Sequence, residues 1–501
     1  MSEKLNQLKE ILGEVADLRS AGAVLGWDQQ TYMPQGGSDA RGHQLGTLGK
    51  LAQIKFTSDE VGQLLEDLKA EFAGVDPGSD DDAAMLRVTA RDFEKARRVP
   101  PEFVVESALV STKAFEAWVE ARQKSDFSIF RPHLEKVVEL TQRYIGFFPP
   151  AEHPYDTLLD DFEPGMKTAE VQAIFDNLRP KQVKLLKQIA AAKQVKDSFL
   201  YGRYNEKKMD AFSVDIATKF GYDWTRGRQD RAPHPFSTTF SVNDVRITTR
   251  FEKDNPTAML FSTMHETGHA LYELGSKQEF DRTPLLGGTS LAIHESQSRM
   301  WENLVGRSFA FWEHFYPQFK KLFPAQLDGV SLRTFYKAIN KVEPSLIRVN
   351  ADEATYNMHI MLRLELEIGM VDGSMQVKDL PEIWNDRMNA YLGITPPNDA
   401  QGVLQDMHWS GGAIGYFSTY ALGNIVSAQL WEKINHDLPN LDDEIRKGKF
   451  DSLLEWLRGK LHVHGRKYDP QDLVKKITGS KIDSAAYVRY LTRKYSEIYG
   501  L

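Results

Sequence analysis

The chain has 501 residues, of which 41% are hydrophobic and 26% charged, and a formal net charge of −8. These are the proportions of a soluble globular protein that can bury a large core, and they speak against a polyanion partner. The absence of cysteine excludes disulfides and thiolate metal sites.

Met1 to Trp27 carries charges throughout and lacks the apolar stretch of a secretory signal. No apolar run reaches the roughly 18 residues of a membrane helix. A cytoplasmic protein with no membrane or nucleic-acid partner is therefore expected. Most predicted elements are helices. Leu5, Leu8, Ile11, Leu12 and Val15 recur at three and four, and Val61 to Leu68 repeats that pattern. After a turn at Asp76-Pro77-Gly78-Ser79, helices are predicted over Asp80 to Lys95, Glu102 to Lys124 and Phe130 to Gly146. Another runs from Thr168 to Lys196, with an interior break expected near Pro180. The charges on these segments read as solvated helix faces.

From His234 to Phe251, Thr, Phe, Val and Ile alternate with polar residues around Asn243-Asp244. The pattern predicts a β-hairpin or three-strand ribbon. Such a ribbon can be purely structural, or it can offer an edge to an extended peptide.

Next comes His265-Glu266-Thr267-Gly268-His269, an HEXXH motif. Asn255-Pro256 suits the start of a helix and Gly275 its end. Residues four apart share a helix face, so His265 and His269 can offer two imidazoles to one metal ion. Glu266, about 100° further round, can reach a water on that ion instead. Gly268 costs the helix about 1 kcal/mol against alanine, a cost that a small residue beside a metal would justify. Without cysteine, the third ligand must be His, Asp or Glu. Gly287-Gly288 and the hydroxyls of Thr289 and Ser290 open a second helix bearing His294 and Glu295. Neighbours on a helix diverge by about 100°, so only one of these two can face the metal. Glu295 is the chosen ligand, which leaves His294 a supporting or substrate-facing role.

A further helix is expected from Pro344 to about Gly369, with Arg348, Asp352, Thr355 and His359 on one stripe. Arg348 and Asp352 could pair on a solvated face, or Asp352 could hold the guanidinium ready for a carboxylate. The segment Gly402 to Tyr420 brings His408, a double glycine, Tyr416 and Tyr420. These are neutral donors suited to an oxyanion, and the tyrosines equally suit a core. The last hundred residues read as helical packing material.

Taken together, these motifs resemble the carboxypeptidase Taq family of zinc metallocarboxypeptidases. They include His234-Pro235-Phe236, Asp244-x-Arg246-x-Thr248, the HEXXH motif and His294-Glu295-Ser296-Gln297. Ile347-Arg348-x-x-Ala351-Asp352, Gly402-x-x-Gln405-Asp406-x-His408-Trp409 and the early Trp27-Asp28-Gln29-Gln30-Thr31-Tyr32-Met33-Pro34 complete the likeness. The resemblance implies a mainly α, neurolysin-like fold with a deep substrate groove and a small β-ribbon beside the metal helix. It implies one peptidase unit over residues 1–501, with parts at about 1–200, 201–430 and 431–501. It also implies a homodimer that removes single residues from peptide C-termini with broad specificity, using zinc, with cobalt as a possible substitute. In that reading His265, His269 and Glu295 bind the metal and Glu266 is the general base. Arg348 and Arg246 would hold the substrate carboxylate, with His234, Asp352 and Tyr416 also on the substrate side. His408 and Tyr420 would serve the oxyanion. The rivals are an endo-acting zinc oligopeptidase and a noncatalytic helical protein that holds zinc structurally.

Overall fold

The computed structural model describes residues 2–252 and 255–501. The chain forms two compact units, each gathered from separated stretches. The first takes Met1–Arg97, Asp197–Ile339 and Leu430–Gly479; the second takes Arg98–Lys196, Asn340–Gln429 and Ser480–Leu501. In chain order the chain builds helices α1 (Glu3–Thr31), α2 (Ser38–Phe56), α3 (Asp59–Glu71) and α4 (Asp81–Arg98). Then come α5 (Pro101–Lys124), α6 (Phe127–Ile145), α7 (Tyr155–Phe162), α8 (Thr168–Ala191) and α9 (Glu206–Phe220). Strands β1 (Gln229–Arg231), β2 (Ser237–Ser241) and β3 (Asp244–Thr249) follow, then α10 (Pro256–Leu274) and α11 (Leu291–Arg299). The rest that matters here is α12 (Phe309–Leu322), α13 (Pro324–Leu327), α14 (Leu332–Ile339), α15 (Tyr356–Asp372), α16 (Leu380–Leu392) and α17 (Ser418–Asp437). No helix among the described residues is long and apolar enough to cross a membrane.

In the first unit the heptad-like leucines of α1 do what their spacing predicts. Leu5, Leu8, Leu12 and Val15 pack with Val61, Leu64, Leu65 and Leu68 of α3 and with Met85 and Val88 of α4. The predicted ribbon is a three-stranded sheet in the order β1-β3-β2. β2 and β3 pair antiparallel, whereas β1 joins β3 in parallel, a pairing the hairpin pattern did not announce. Val245 and Ile247 of β3 pack with Ala270 and Leu274 of α10 and Ala217 of α9. One face of the sheet therefore supports the motif helix. The outer edge of β2 is partly covered: Ser20 of α1 donates to the Phe240 carbonyl at 2.8 Å.

In the second unit α15 is buried on almost every side, as an all-round apolar helix must be. Its fully buried polar residues are Asn357, His359, Arg363 and Glu367. The last three, spaced by four, form one polar stripe inside the core.

Two expectations fail here. Thr168 to Ala191 is one helix that runs through Pro180 without a break. Pro180 is solvent-exposed, so the carbonyl it leaves unpaired one turn earlier can turn to water. The segment from Pro344 is not one helix: Arg348–Asn350 is a short 3₁₀ turn and α15 begins only at Tyr356. Asp352 interrupts it by accepting hydrogen bonds from the backbone N–H groups of Glu343, Ala354 and Thr355 at 2.9–3.1 Å. A short polar side chain that satisfies its own local backbone competes with helix in this way.

Candidate active site

Helix α10 begins at Pro256 and closes on Gly275, whose N–H bonds the Leu271 carbonyl at 3.1 Å. The Asn255 side chain makes no capping bond; its Oδ1 instead accepts from the Thr257 hydroxyl at 2.9 Å. Helix α11 is capped by Ser290, whose Oγ accepts from the Ile293 N–H at 3.2 Å. It then passes into a π-helical turn over Met300–Val305.

The two helices cross at Gly268. A Cβ there would stand 2.6 Å from the Gln297 carbonyl oxygen and 2.7 Å from the Ser298 Cα. The glycine is thus required by the backbone of α11 rather than by a metal. The roughly 1 kcal/mol it costs α10 is the condition for bringing Glu295 to the histidines.

His265, His269 and Glu295 offer nitrogen and oxygen atoms that all lie within 4.8 Å of one another. Glu295 Oε2 is 3.5 Å from His265 Nε2 and 3.4 Å from His269 Nε2. Atoms bound tetrahedrally at about 2.0–2.1 Å sit about 3.3 Å apart, so these two separations match edges of the tetrahedron that a small divalent metal needs. The donor set fits a divalent metal with one position left open.

Further groups orient the ligands. His265 Nδ1 meets Glu302 Oε2 at 3.0 Å. His294 Nδ1 lies 2.6 Å from His269 Nδ1, and its Nε2 lies 2.7 Å from Glu273 Oε1. If His294 donates to Glu273, it accepts from His269, which leaves His269 Nε2 a free lone pair. Arg299 donates to Glu295 Oε1 at 2.7 Å and to Glu302 Oε2 at 3.2 Å. Burial opposes ionisation of Glu295, yet Arg299 and the two histidines hold its carboxyl well below the usual range. The same contest leaves Glu302 at about 2. Burial pushes His269 down to about 3, so its ring is neutral, as a metal ligand must be. Glu266 is buried among these groups, and desolvation pushes its carboxyl up to about 7.

Sequence reasoning missed Glu273 and Glu302. Glu273 had a legible signal, since it follows His269 by four on the same helix. Glu302 had none, because it sits on the π turn, which shifts the helical register.

Also in the first unit, Arg246 forms a bidentate pair with Asp244 at 2.8 and 2.7 Å. Its guanidinium is stacked between Trp27 at 4.5 Å and Phe240 at 4.8 Å. This gives the early Trp27 motif a physical role: it holds a cation flat. His234 lies on the exposed segment that precedes β2.

In the second unit, Arg348 is buried, and its partner is Asp406 rather than Asp352, with Nη2 2.8 Å from Asp406 Oδ1. Arg363 donates to the other oxygen, with Nε 2.8 Å from Asp406 Oδ2. Arg348 Nη1 also donates to the Tyr356 hydroxyl at 3.0 Å, and its guanidinium lies 5.3 Å from the Tyr420 ring centre. The hydroxyls of Tyr416 and Tyr420 are 3.1 Å apart. His408 stacks on Tyr416 with ring centres 5.6 Å apart. Burial pushes His408 down to about 4, and Arg348 and Arg363 add to this, so the ring is neutral near pH 7. Burial pushes Asp352 up to about 6, despite the N–H groups it accepts from.

Two imidazoles, a carboxylate and a spare buried glutamate on packed helices define the class: a hydrolytic metalloenzyme of the HEXXH kind. The comparisons name the branch. Residues 7–495 match the carboxypeptidase Taq (M32) metallopeptidase family. Carboxypeptidase 1 of Bacillus subtilis is 38% identical over 98% of both chains. Thermostable carboxypeptidase 1 of Thermus thermophilus is 40% identical over 98% of both. The crystal structure of the M32 carboxypeptidase from Deinococcus radiodurans superposes with a TM-score of 0.97 at 40% identity, covering 100% of each chain. The chain belongs to the carboxypeptidase Taq family and is a metallocarboxypeptidase with a mainly helical fold.

Proposed function

We propose that this chain is a zinc carboxypeptidase that removes single residues from the C-termini of peptides with broad specificity. The observation that carries the reading is the pair of 3.4 and 3.5 Å separations around Glu295 Oε2, which match the edges of a zinc tetrahedron. Cobalt prefers similar ligands and is the expected substitute. A bound zinc ion supplies a Lewis acid for the scissile carbonyl and a water acidic enough to ionise near neutral pH.

His265, His269 and Glu295 hold the ion, kept in orientation by Glu302 and by the His294–Glu273 pair. Glu266 takes the proton of the attacking water and returns it to the departing amine nitrogen. A carboxyl pushed up to about 7 suits a group that must both accept and release a proton. His408 and Tyr420 donate to the oxyanion, with Tyr416 backing Tyr420 through the hydroxyl contact. Arg348 and Arg246 recognise the terminal carboxylate, with His234 on the substrate side and Asp352 fixing the turn that leads into α15. These roles are carried over from the family resemblance and are supported by the cationic and neutral-donor chemistry of the residues. The two compact units work as one peptidase, and the protein acts as a cytoplasmic homodimer.

The test is timed mass spectrometry on an unblocked peptide, with and without added zinc. A ladder of single-residue losses from the C-terminal end supports the reading. Internal cleavage, or a ladder from the other end, overturns it.

A further inference from the structure

Glu367 takes no part in the chemistry proposed above, yet it is among the most enclosed ionisable groups of the second unit, with no exposed surface. It accepts from the Tyr155 hydroxyl of α7 at 2.6 Å, from Trp409 Nε1 at 2.8 Å and from the Gly415 backbone N–H at 3.0 Å. A buried carboxylate is a costly fixture in a helix core unless its oxygens are all used, and these are.

Two of the three donors belong to one segment. Trp409 stands beside His408 in the 3₁₀ turn His408–Gly411, and Gly415 stands directly before Tyr416. One carboxylate therefore grips both ends of the stretch that carries His408 and leads into Tyr416 and Tyr420. The path between the grips is tight. Gly412 and Gly415 adopt φ of 75° and 102°, which only glycine tolerates readily. A Cβ on Gly415 would meet the Leu158 carbonyl at 2.9 Å, so the loop lies directly on α7. Phe162 of the same helix closes edge-on against Tyr416 at 5.4 Å.

His408 has little else to aim it. Its Nδ1 has no hydrogen-bond partner among the described residues, and Asp406 Oδ1 is 3.9 Å away. Its orientation comes from stacking on Tyr416, from a tilted contact with the Phe417 ring and from the backbone of the turn.

We propose that Glu367 is a positioning residue for the oxyanion side of the site, holding the 408–415 segment so that His408 and the following tyrosines point productively. The proposal rests on the reading of His408 as an oxyanion donor. A donor used only in the transition state affects kcat and leaves KM alone. A side chain that merely stabilises the fold affects neither in the folded, metal-loaded enzyme.

The experiment compares Glu367→Gln, Tyr155→Phe and His408→Ala in the full chain, on an N-blocked peptide with a free C-terminus. Zinc content and thermal midpoint are recorded for each. Glu367→Gln loses one of the three acceptor contacts and turns an N–H₂ towards a donor. It is expected to lower kcat about 10- to 100-fold, with KM within about two-fold and zinc content unchanged. Tyr155→Phe leaves both loop contacts in place and should keep kcat within about two-fold. Unchanged kcat in zinc-loaded Glu367→Gln, alongside an impaired His408→Ala, overturns the positioning role alone. Full activity in His408→Ala overturns the oxyanion reading, and the proposal with it. Should Glu367→Gln fail to fold, Trp409→Phe removes one grip only, and the same kcat criterion decides.

Discussion

Two regions of the molecule, one in each compact unit, are electrostatic opposites. Around α10 and α11, four carboxylates (Glu266, Glu273, Glu295 and Glu302) face two guanidiniums, Arg299 and Arg307. Around α15, two buried guanidiniums, Arg348 and Arg363, share the single carboxylate of Asp406. The first region has an excess of acid that a cation would neutralise. In the second, two guanidiniums share one carboxylate and burial pushes the carboxyl of Glu367, one turn from Arg363, up to about 7, a balance that leans positive and suits a substrate carboxylate. In each, most of these charges are already fixed by hydrogen bonds, as a preorganised site requires.

The contrast can be broken at several points. The largest effect should come from Glu266→Ala, which removes the base but no ligand. Turnover should fall about 10³-fold or more while zinc stoichiometry, measured by atomic absorption, stays at wild type. Unchanged turnover would mean that another group takes the proton. Next, a peptide and its C-terminal amide should differ by about 10²-fold in kcat/KM, because the amide offers no charge to the cationic side. Equal rates would remove carboxylate recognition from the account.

The cationic region itself is tested by Asp406→Asn. Arg363, which has no exposed surface, would lose its counter-charge. Removing one partner of a buried pair costs about 3–5 kcal/mol, to be read from denaturant unfolding. The same carboxylate predicts a pH dependence. Burial raises its pKa, but the two arginines outweigh that and hold it well below the ordinary 3.8. Its contribution to stability is then complete above the unfolded value. It is lost progressively as pH falls below about 4 towards the folded value. Unfolding measured from pH 6 down to pH 2 should show this decline, and in Asp406→Asn it should be shallower, because Glu295 and Glu302 still titrate in the same range.

Smaller effects probe the scaffold of the acidic region. Gly268→Ala gains about 1 kcal/mol in helix propensity but drives a methyl into α11, at a cost of about 1–3 kcal/mol. The net result should be a lower melting temperature and weaker zinc binding by chelator competition. A stabilised variant with normal zinc affinity would show that the crossing relaxes.

How much of this was legible in the sequence depends on range. The motif helix could be read because its signals are local: two histidines four apart, a proline at its start and a glycine at its end. The sheet was visible in its alternation, although β1 was not, since three residues are too few to show a period. The stripe proposed for Arg348, Asp352, Thr355 and His359 failed because Asp352 satisfies its own backbone and stops the helix. The true stripe, His359–Arg363–Glu367, is periodic and was there to be seen. The partners of its last two members, Asp406 and the Trp409–Gly415 segment, lie about forty residues on and could not be inferred from spacing. Gly268 was noticed for its cost, while its cause, the backbone of a neighbouring helix, is invisible in one dimension.

The central claim is that His265, His269 and Glu295 hold the catalytic ion. Anomalous diffraction at the zinc edge, from crystals grown with excess zinc, tests it most directly. The account predicts one strong peak about 2.0–2.2 Å from His265 Nε2, His269 Nε2 and a Glu295 carboxylate oxygen. No peak at that point, or full occupancy at some other cluster, would contradict it.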